Sequence, residues 1–99
     1  MKFTFKKHQR TGRYRCFQLN HTDIKIGGRM VGQISETKDE GWRIGFTVKK
    51  EVTEKHPAPF RWIFLKKKAQ TEENARNIVI GLTEQIQGKF DLYPFEKED

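Results

Sequence analysis

A chain of 99 residues has room for one small domain. Lys and Arg number 20 against 13 Asp and Glu, which gives a formal net charge of +7, and 34% of the residues are hydrophobic. This balance excludes collagen-like, coiled-coil and disulfide-rich chains, and an aromatic content of 12% is too high for a wholly disordered one. We predict a single domain over residues 1–99, with a disordered acidic end at 96–99.

Three features bear on the cellular compartment and on membrane association. A single cysteine, Cys16, excludes an internal disulfide and is typical of a reducing compartment. The basic N-terminus is not followed by the apolar run of a signal peptide. The longest uncharged apolar run, 62–65, is far shorter than the ~18 residues of a membrane span. We therefore expect a cytoplasmic protein that does not enter a membrane.

The first third of the chain has the period of short strands separated by turns. Alternating or extended segments cover, in chain order, residues 3–6, 13–19, 24–26 and 29–35. Turn residues fill 9–12 and 20–23. We interpret Gly27 and Gly28 as a bend or bulge within a strand, and 37–41 as a hairpin loop.

The clearest strand signal lies at residues 42–49. Trp42, Ile44 and Phe46 alternate with polar residues, several of them basic, so this strand has one buried face. Residues 60–65 form another predicted strand, but both of its faces are apolar. That pattern is typical of a central strand, or of one partly covered by the C-terminal tail.

A helix follows. Thr71 is its predicted N-cap, its apolar residues are spaced three and four apart, and Gly88 stands where a C-terminal cap is expected. The predicted fold is therefore α+β, an antiparallel β-meander of four or five strands with one C-terminal α-helix, about 71–87, packed on one face. The predicted core comprises Trp42, Ile44, Phe46, Trp62, Phe64, Ile78, Val79, Leu82 and Ile86.

Catalytic and metal-binding patterns are absent from the sequence. The candidate soft ligands His8, Cys16, His21 and His56 have no zinc-site spacing, and Cys16 lies in a strand pattern where it behaves as a small hydrophobe. No nucleophile triad or phosphate-binding loop occurs. We therefore predict no enzymatic activity, no cofactor and no metal.

The charge pattern indicates a polyanion partner. Residues 1–33 alone carry a formal charge of +7, and every charged residue among the first sixteen is basic. Lys, Arg and an aromatic side chain on a sheet surface can bind phosphates and stack on bases. We predict binding to DNA or RNA through a basic N-terminal hairpin and the sheet face. The predicted contact residues are Lys6, Lys7, Arg10, Arg13, Tyr14, Arg15, Arg43 and Lys49.

The order of elements from residue 42 to the helix at 71–88 resembles integrase arm-binding and plant AP2-type domains, in which a three-stranded sheet reads the DNA groove and a helix braces it. The resemblance is one of architecture, without a shared motif, and implies no roles for individual residues. A different function also fits the sequence, that of a protein-interaction module. It would be an inhibitor or accessory subunit, either monomeric or homodimeric, which meets its partner through the tail at 90–95 or an open strand edge.

Overall fold

The strands follow one another in space as they do along the chain. The computed structural model describes residues 2–8 and 20–95, within which five strands form one antiparallel sheet in the order β1-β2-β3-β4-β5, followed by two short helices. Their bounds are β1 Thr4–His8, β2 His21–Ile26, β3 Arg29–Glu36, β4 Trp42–Lys49, β5 Phe60–Phe64, α1 Glu72–Gly81 and α2 Thr83–Lys89. The α+β class and the antiparallel meander are thus confirmed. The predicted strand at 13–19 and the acidic end at 96–99 lie outside the described residues.

Two turn predictions in the first half of the chain are wrong. Gly27 and Gly28 have φ angles of 58° and 82° and join β2 to β3 as a two-residue hairpin, rather than bending one strand. Positive φ at both positions matches the twist of paired strands, and glycine adopts it without strain. The predicted turn at 20–23 lies mostly in β2, where Thr22 is fully buried. The hairpin loop between β3 and β4 is confirmed, and Thr37 closes it through a backbone hydrogen bond to Gly41.

One face of the sheet carries the hydrophobic core, and we call it the covered face. Ile44 and Phe46 of β4 are fully buried there, and α1 packs against β3 and β4. Trp62 and Phe64 were predicted in this core, and that prediction is wrong. The β4–β5 register pairs Phe46 with Ile63, so Ile63 packs on the core and its neighbours on β5 point to the other side.

The helical region departs from the prediction at its middle and its end. Thr71 is the N-cap as expected, and its hydroxyl accepts a hydrogen bond of 3.1 Å from the Asn74 amide. The single predicted helix is divided at Leu82. Gly81 weakens the helix there, and the Thr83 hydroxyl donates to the Val79 and Ile80 carbonyls, a contact that bends helices. Gly88 is not a cap, because α2 continues to Lys89.

The C-terminal tail packs back on the sheet. β4 pairs with β3 as far as Phe46, whose partner is Gly32. Beyond that pair, the tail hydrogen-bonds to both strands and lies between them. The Lys49 amide donates to the Asp91 carbonyl and the Tyr93 amide to the Thr47 carbonyl, each at 2.8 Å. The tail therefore supplies hydrogen-bond partners for the backbone at the end of β4, where β3 no longer pairs with it.

Candidate nucleic-acid interface

The face of the sheet opposite α1, which we call the open face, carries the candidate site. Residues paired across neighbouring strands share a face, so the register identifies its members. From β1 to β5 they include Lys6, His8, His21, Asp23, Gln33, Ser35, Arg43, Gly45, Phe60, Trp62 and Phe64. In the described part of the chain, α1 packs on the covered face, and the open face is partly exposed to solvent.

Two aromatic rings of β5 lie at one side of the open face. Trp62 is 37% exposed and Phe64 is 48% exposed, and their rings lie nearly parallel, 6.2 Å apart with 9° between their planes. The Arg43 guanidinium lies over the Phe64 ring, 4.1 Å from its centroid. The sheet thus presents flat π surfaces and a cation side by side.

Gly45 makes room for these rings. A Cβ atom at this position would lie 2.6 Å from the Phe64 ring and 3.3 Å from the Trp62 ring. Any larger residue would push the rings away from the sheet. Thr47, the next residue of β4 on this face, is fully buried, and its hydroxyl donates to the Tyr93 carbonyl at 2.8 Å and to the Val31 carbonyl at 3.2 Å.

A groove of about 300 Å³ runs beside the rings. Its walls come from three strands and combine rings, a guanidinium, an amide and a hydroxyl, contributed by Gln33, Ser35, Arg43, Trp62 and Phe64. The Gln33 amide donates to Asp23 Oδ1 at 3.1 Å, which orients the side chain. The groove therefore offers stacking surfaces and hydrogen-bonding groups to a planar polar ligand.

The aromatic surface continues towards the end of β5. Phe60 stacks on Tyr93 at 5.2 Å and meets the edge of Phe95 at 4.6 Å. All three are half-buried. The tail thus extends the row of rings that begins with Phe64 and Trp62.

The predicted basic residues are divided between the two faces. Lys6 and Arg43 lie on the open face, as does Lys49, which pairs with Asp91 at 3.5 Å. Lys7 instead pairs with buried Thr22 in the sheet and lies 3.9 Å from Glu72 of α1. Lys7 therefore belongs to the covered face and cannot join the same patch. Arg10, Arg13, Tyr14 and Arg15 lie outside the described residues.

A further ion pair borders the open face near Arg43. Lys68 hydrogen-bonds to Glu40 in the hairpin loop. This bond, together with the charges of Lys68 and Arg43, lowers the pKa of Glu40 below its usual value. Glu40 therefore stays ionised at neutral pH and offsets part of the charge of the lysines at 66–68.

Sequence reasoning missed the aromatic half of this site, because Trp62 and Phe64 were assigned to the core. One signal could have revealed them. Gly45 interrupts the polar face of β4, and glycine inside a strand often makes room for a close neighbour. If Gly45 is taken to make room for large neighbours on β5, Trp62 and Phe64 are expected on the same face as Arg43.

One group of side chains in the described residues has the composition of a metal site. Ligand atoms of His8, His21 and Asp23 all lie within 4.8 Å of one another. His8 Nε2 is 2.6 Å from Asp23 Oδ2, and the two imidazole rings are stacked at 4.7 Å. Their sequence separation hid this group, which the pairing of β1 with β2 assembles.

The chain matches no protein-family model, no curated protein and no solved structure at a significant level. Any functional assignment therefore depends on its own residues. Within residues 2–8 and 20–95, neither helix has the length or the apolar character needed to cross a lipid bilayer.

Proposed function

We propose that this protein binds single-stranded nucleic acid on the open face of its sheet, without catalysing a reaction. The observation that carries the proposal is the set of exposed rings of Trp62 and Phe64 beside the Arg43 guanidinium. Large apolar side chains exposed together on a protein surface are typical of a binding site.

The chemistry of the rings favours bases as ligands. Every base has a π face, and stacking on an aromatic side chain contributes ~1–3 kcal/mol per base. The row from Phe64 through Trp62 to Phe60 lies along one strand, so successive bases can stack along it. Gln33 and Ser35 supply polar groups within reach of base edges in the adjoining groove.

Charge supports the same ligand. Lys6, Lys25 and Arg43 lie on or beside the open face, and the chain carries a net charge of +7. Cations that flank a stacking surface bind the phosphates between the bases. Single strands fit better than a duplex, because paired bases are already stacked on each other and present only their edges.

The proposal is tested by fluorescence anisotropy with single- and double-stranded DNA and RNA of equal length, in EDTA, at about 50 and about 200 mM salt. We expect single strands to bind more tightly than duplex, with affinity that falls as salt rises. Phe64→Ala should weaken binding, whereas Ile80→Ala, which removes an exposed apolar side chain from α1, should not. Absence of binding at the lower salt concentration would refute the proposal.

A second candidate function is the protein-interaction module, which would act as a monomer or as a homodimer. It is favoured by the position of β5 as an edge strand of the sheet in the described residues, with two exposed rings. Unpaired strand edges accept strands from other chains. A dimer mass in solution that persists at high salt, without oligonucleotide binding, would favour this candidate over the first.

A further inference from the structure

A cluster of two imidazoles and one carboxylate lies where β1 pairs with β2 on the open face, on the far side of the described sheet from the aromatic rings of β5. Its members are His8, His21 and Asp23. We propose that these side chains bind a divalent transition-metal ion of the zinc class, with water completing the coordination. The proposal does not depend on nucleic-acid binding.

The sheet brings the ligands together. His8 and His21 are direct partners in the β1–β2 register, and Asp23 lies two residues beyond His21 on the same face. Because directly paired residues place their side chains close together, the two rings stack with 15° between their planes. Both Nε2 atoms lie near the same carboxylate, at 2.6 Å for His8 and 3.9 Å for His21.

The distances suit a small metal ion. Zinc bonds of about 2.0–2.2 Å in tetrahedral geometry place ligand atoms roughly 3.3 Å apart. The His8–Asp23 separation is shorter than this value and the His21–Asp23 separation is longer. Because all the ligand atoms already lie within 4.8 Å of one another, small side-chain rotations would bring them to the separations that zinc needs, and the ion would replace the hydrogen bond between His8 and Asp23.

The surroundings favour a fixed site. Gln33 donates a hydrogen bond of 3.1 Å to Asp23 Oδ1, and such outer contacts hold a ligating carboxylate in position. The Asp23 and His21 side chains are only 13% and 14% exposed. His8 lies nearer the surface, at 36%, and leaves a path for the ion.

The donor set also selects the kind of metal. Imidazole suits zinc, copper, nickel and iron, whereas magnesium and calcium prefer sites made wholly of oxygen. Two imidazoles and one carboxylate therefore indicate Zn²⁺ over Mg²⁺.

The test uses the untagged Cys16→Ser chain, in which the thiol cannot contribute. Zn²⁺ alone is titrated by calorimetry, while the histidine ring resonances are followed by NMR. We expect one Zn²⁺ per chain, shifts at His8 and His21 but not at His56, and no response to Mg²⁺. His8→Gln and Asp23→Asn should each weaken binding at least about tenfold, since even the loss of an outer contact weakens metal sites by that factor.

His56→Gln is the matched control, because His56 lies in the exposed loop before β5. It should bind Zn²⁺ as the parent does. Circular dichroism of each variant verifies that the fold is retained, and His8 is the last residue of β1, the outermost strand among the described residues. Equal Zn²⁺ affinity in a folded His8→Gln chain, or a shift confined to His56, would overturn the proposal.

Discussion

Alternate residues of one strand lie in different surroundings on the two faces of the sheet. On β4, Ile44 and Phe46 face α1 and are fully buried, whereas Arg43 and Gly45 face the rings of β5. Both faces carry aromatic rings, but within residues 2–8 and 20–95 only the covered face has a helix packed on it. Among the aromatic residues, burial therefore separates those that stabilise the fold from those available to a ligand.

The largest expected difference comes from removing one ring on each face. Phe46→Ala should lower the free energy of unfolding by ~3–5 kcal/mol, because Phe46 is fully buried and contacts Phe3. Phe64→Ala should lower it by about 1 kcal/mol, since the ring is half exposed. Urea unfolding measures both values. Equal losses would mean that the two faces are buried alike.

Replacing one glycine by alanine on each face tests the same difference between the covered and the open face. Gly32 lies on the covered face, and a Cβ there would meet the Gly45 carbonyl oxygen at 2.4 Å and the Phe46 ring at 2.9 Å. Gly32→Ala should therefore destabilise the protein by ~1–3 kcal/mol, because backbone must move.

Gly45→Ala is the matched change on the open face. The added methyl group meets the half-exposed Phe64 ring, which can rotate away. Binding of single strands should weaken while the unfolding midpoint changes less than for Gly32→Ala. If Gly45→Ala were the more destabilising of the two, the rings of the open face would be fixed parts of the fold.

A substitution at the N-cap of α1 should lower stability without changing binding. Thr71→Ala removes the hydroxyl that accepts from the Asn74 amide and should lower the free energy of unfolding by ~0.5–2 kcal/mol. Oligonucleotide affinity should stay unchanged, because α1 lies on the covered side. Thermal melting and anisotropy check the two halves of this prediction, and a loss of affinity in the folded variant would contradict it.

The smallest effect on stability is expected from exposed arginines. Arg43→Gln removes a cation from the open face, and Arg61→Gln removes one from the other side of β5, where its partner is Val48. Arg61→Gln should change stability by less than about 0.5 kcal/mol, and Arg43→Gln by no more than about 1 kcal/mol, because it also removes the contact with the Phe64 ring. Only Arg43→Gln should reduce the log–log salt slope of single-strand binding, by ~0.7 if it contacts one phosphate. Equal slopes for the two variants would place the phosphates elsewhere.

The sequence predicted the covered face more fully than the open one. Helical spacing and the alternation of 42–49 identified Ile44, Phe46 and Val79, because a buried face must be apolar. The direction of Trp62 and Phe64 depends on how β5 pairs with β4, and register is a tertiary property. The grouping of His8 with Asp23 likewise arises from strand pairing and has no sequence spacing of its own.

The central claim, that bases stack on the open face, is tested most directly by the fluorescence of Trp62. Trp42→Phe leaves Trp62 as the sole tryptophan of a chain that has two. Titration with oligothymidylate should quench its emission, whereas an abasic oligonucleotide with the same number of phosphates should quench it far less. Equal quenching by both, or none by oligothymidylate that anisotropy shows to be bound, would contradict stacking on Trp62.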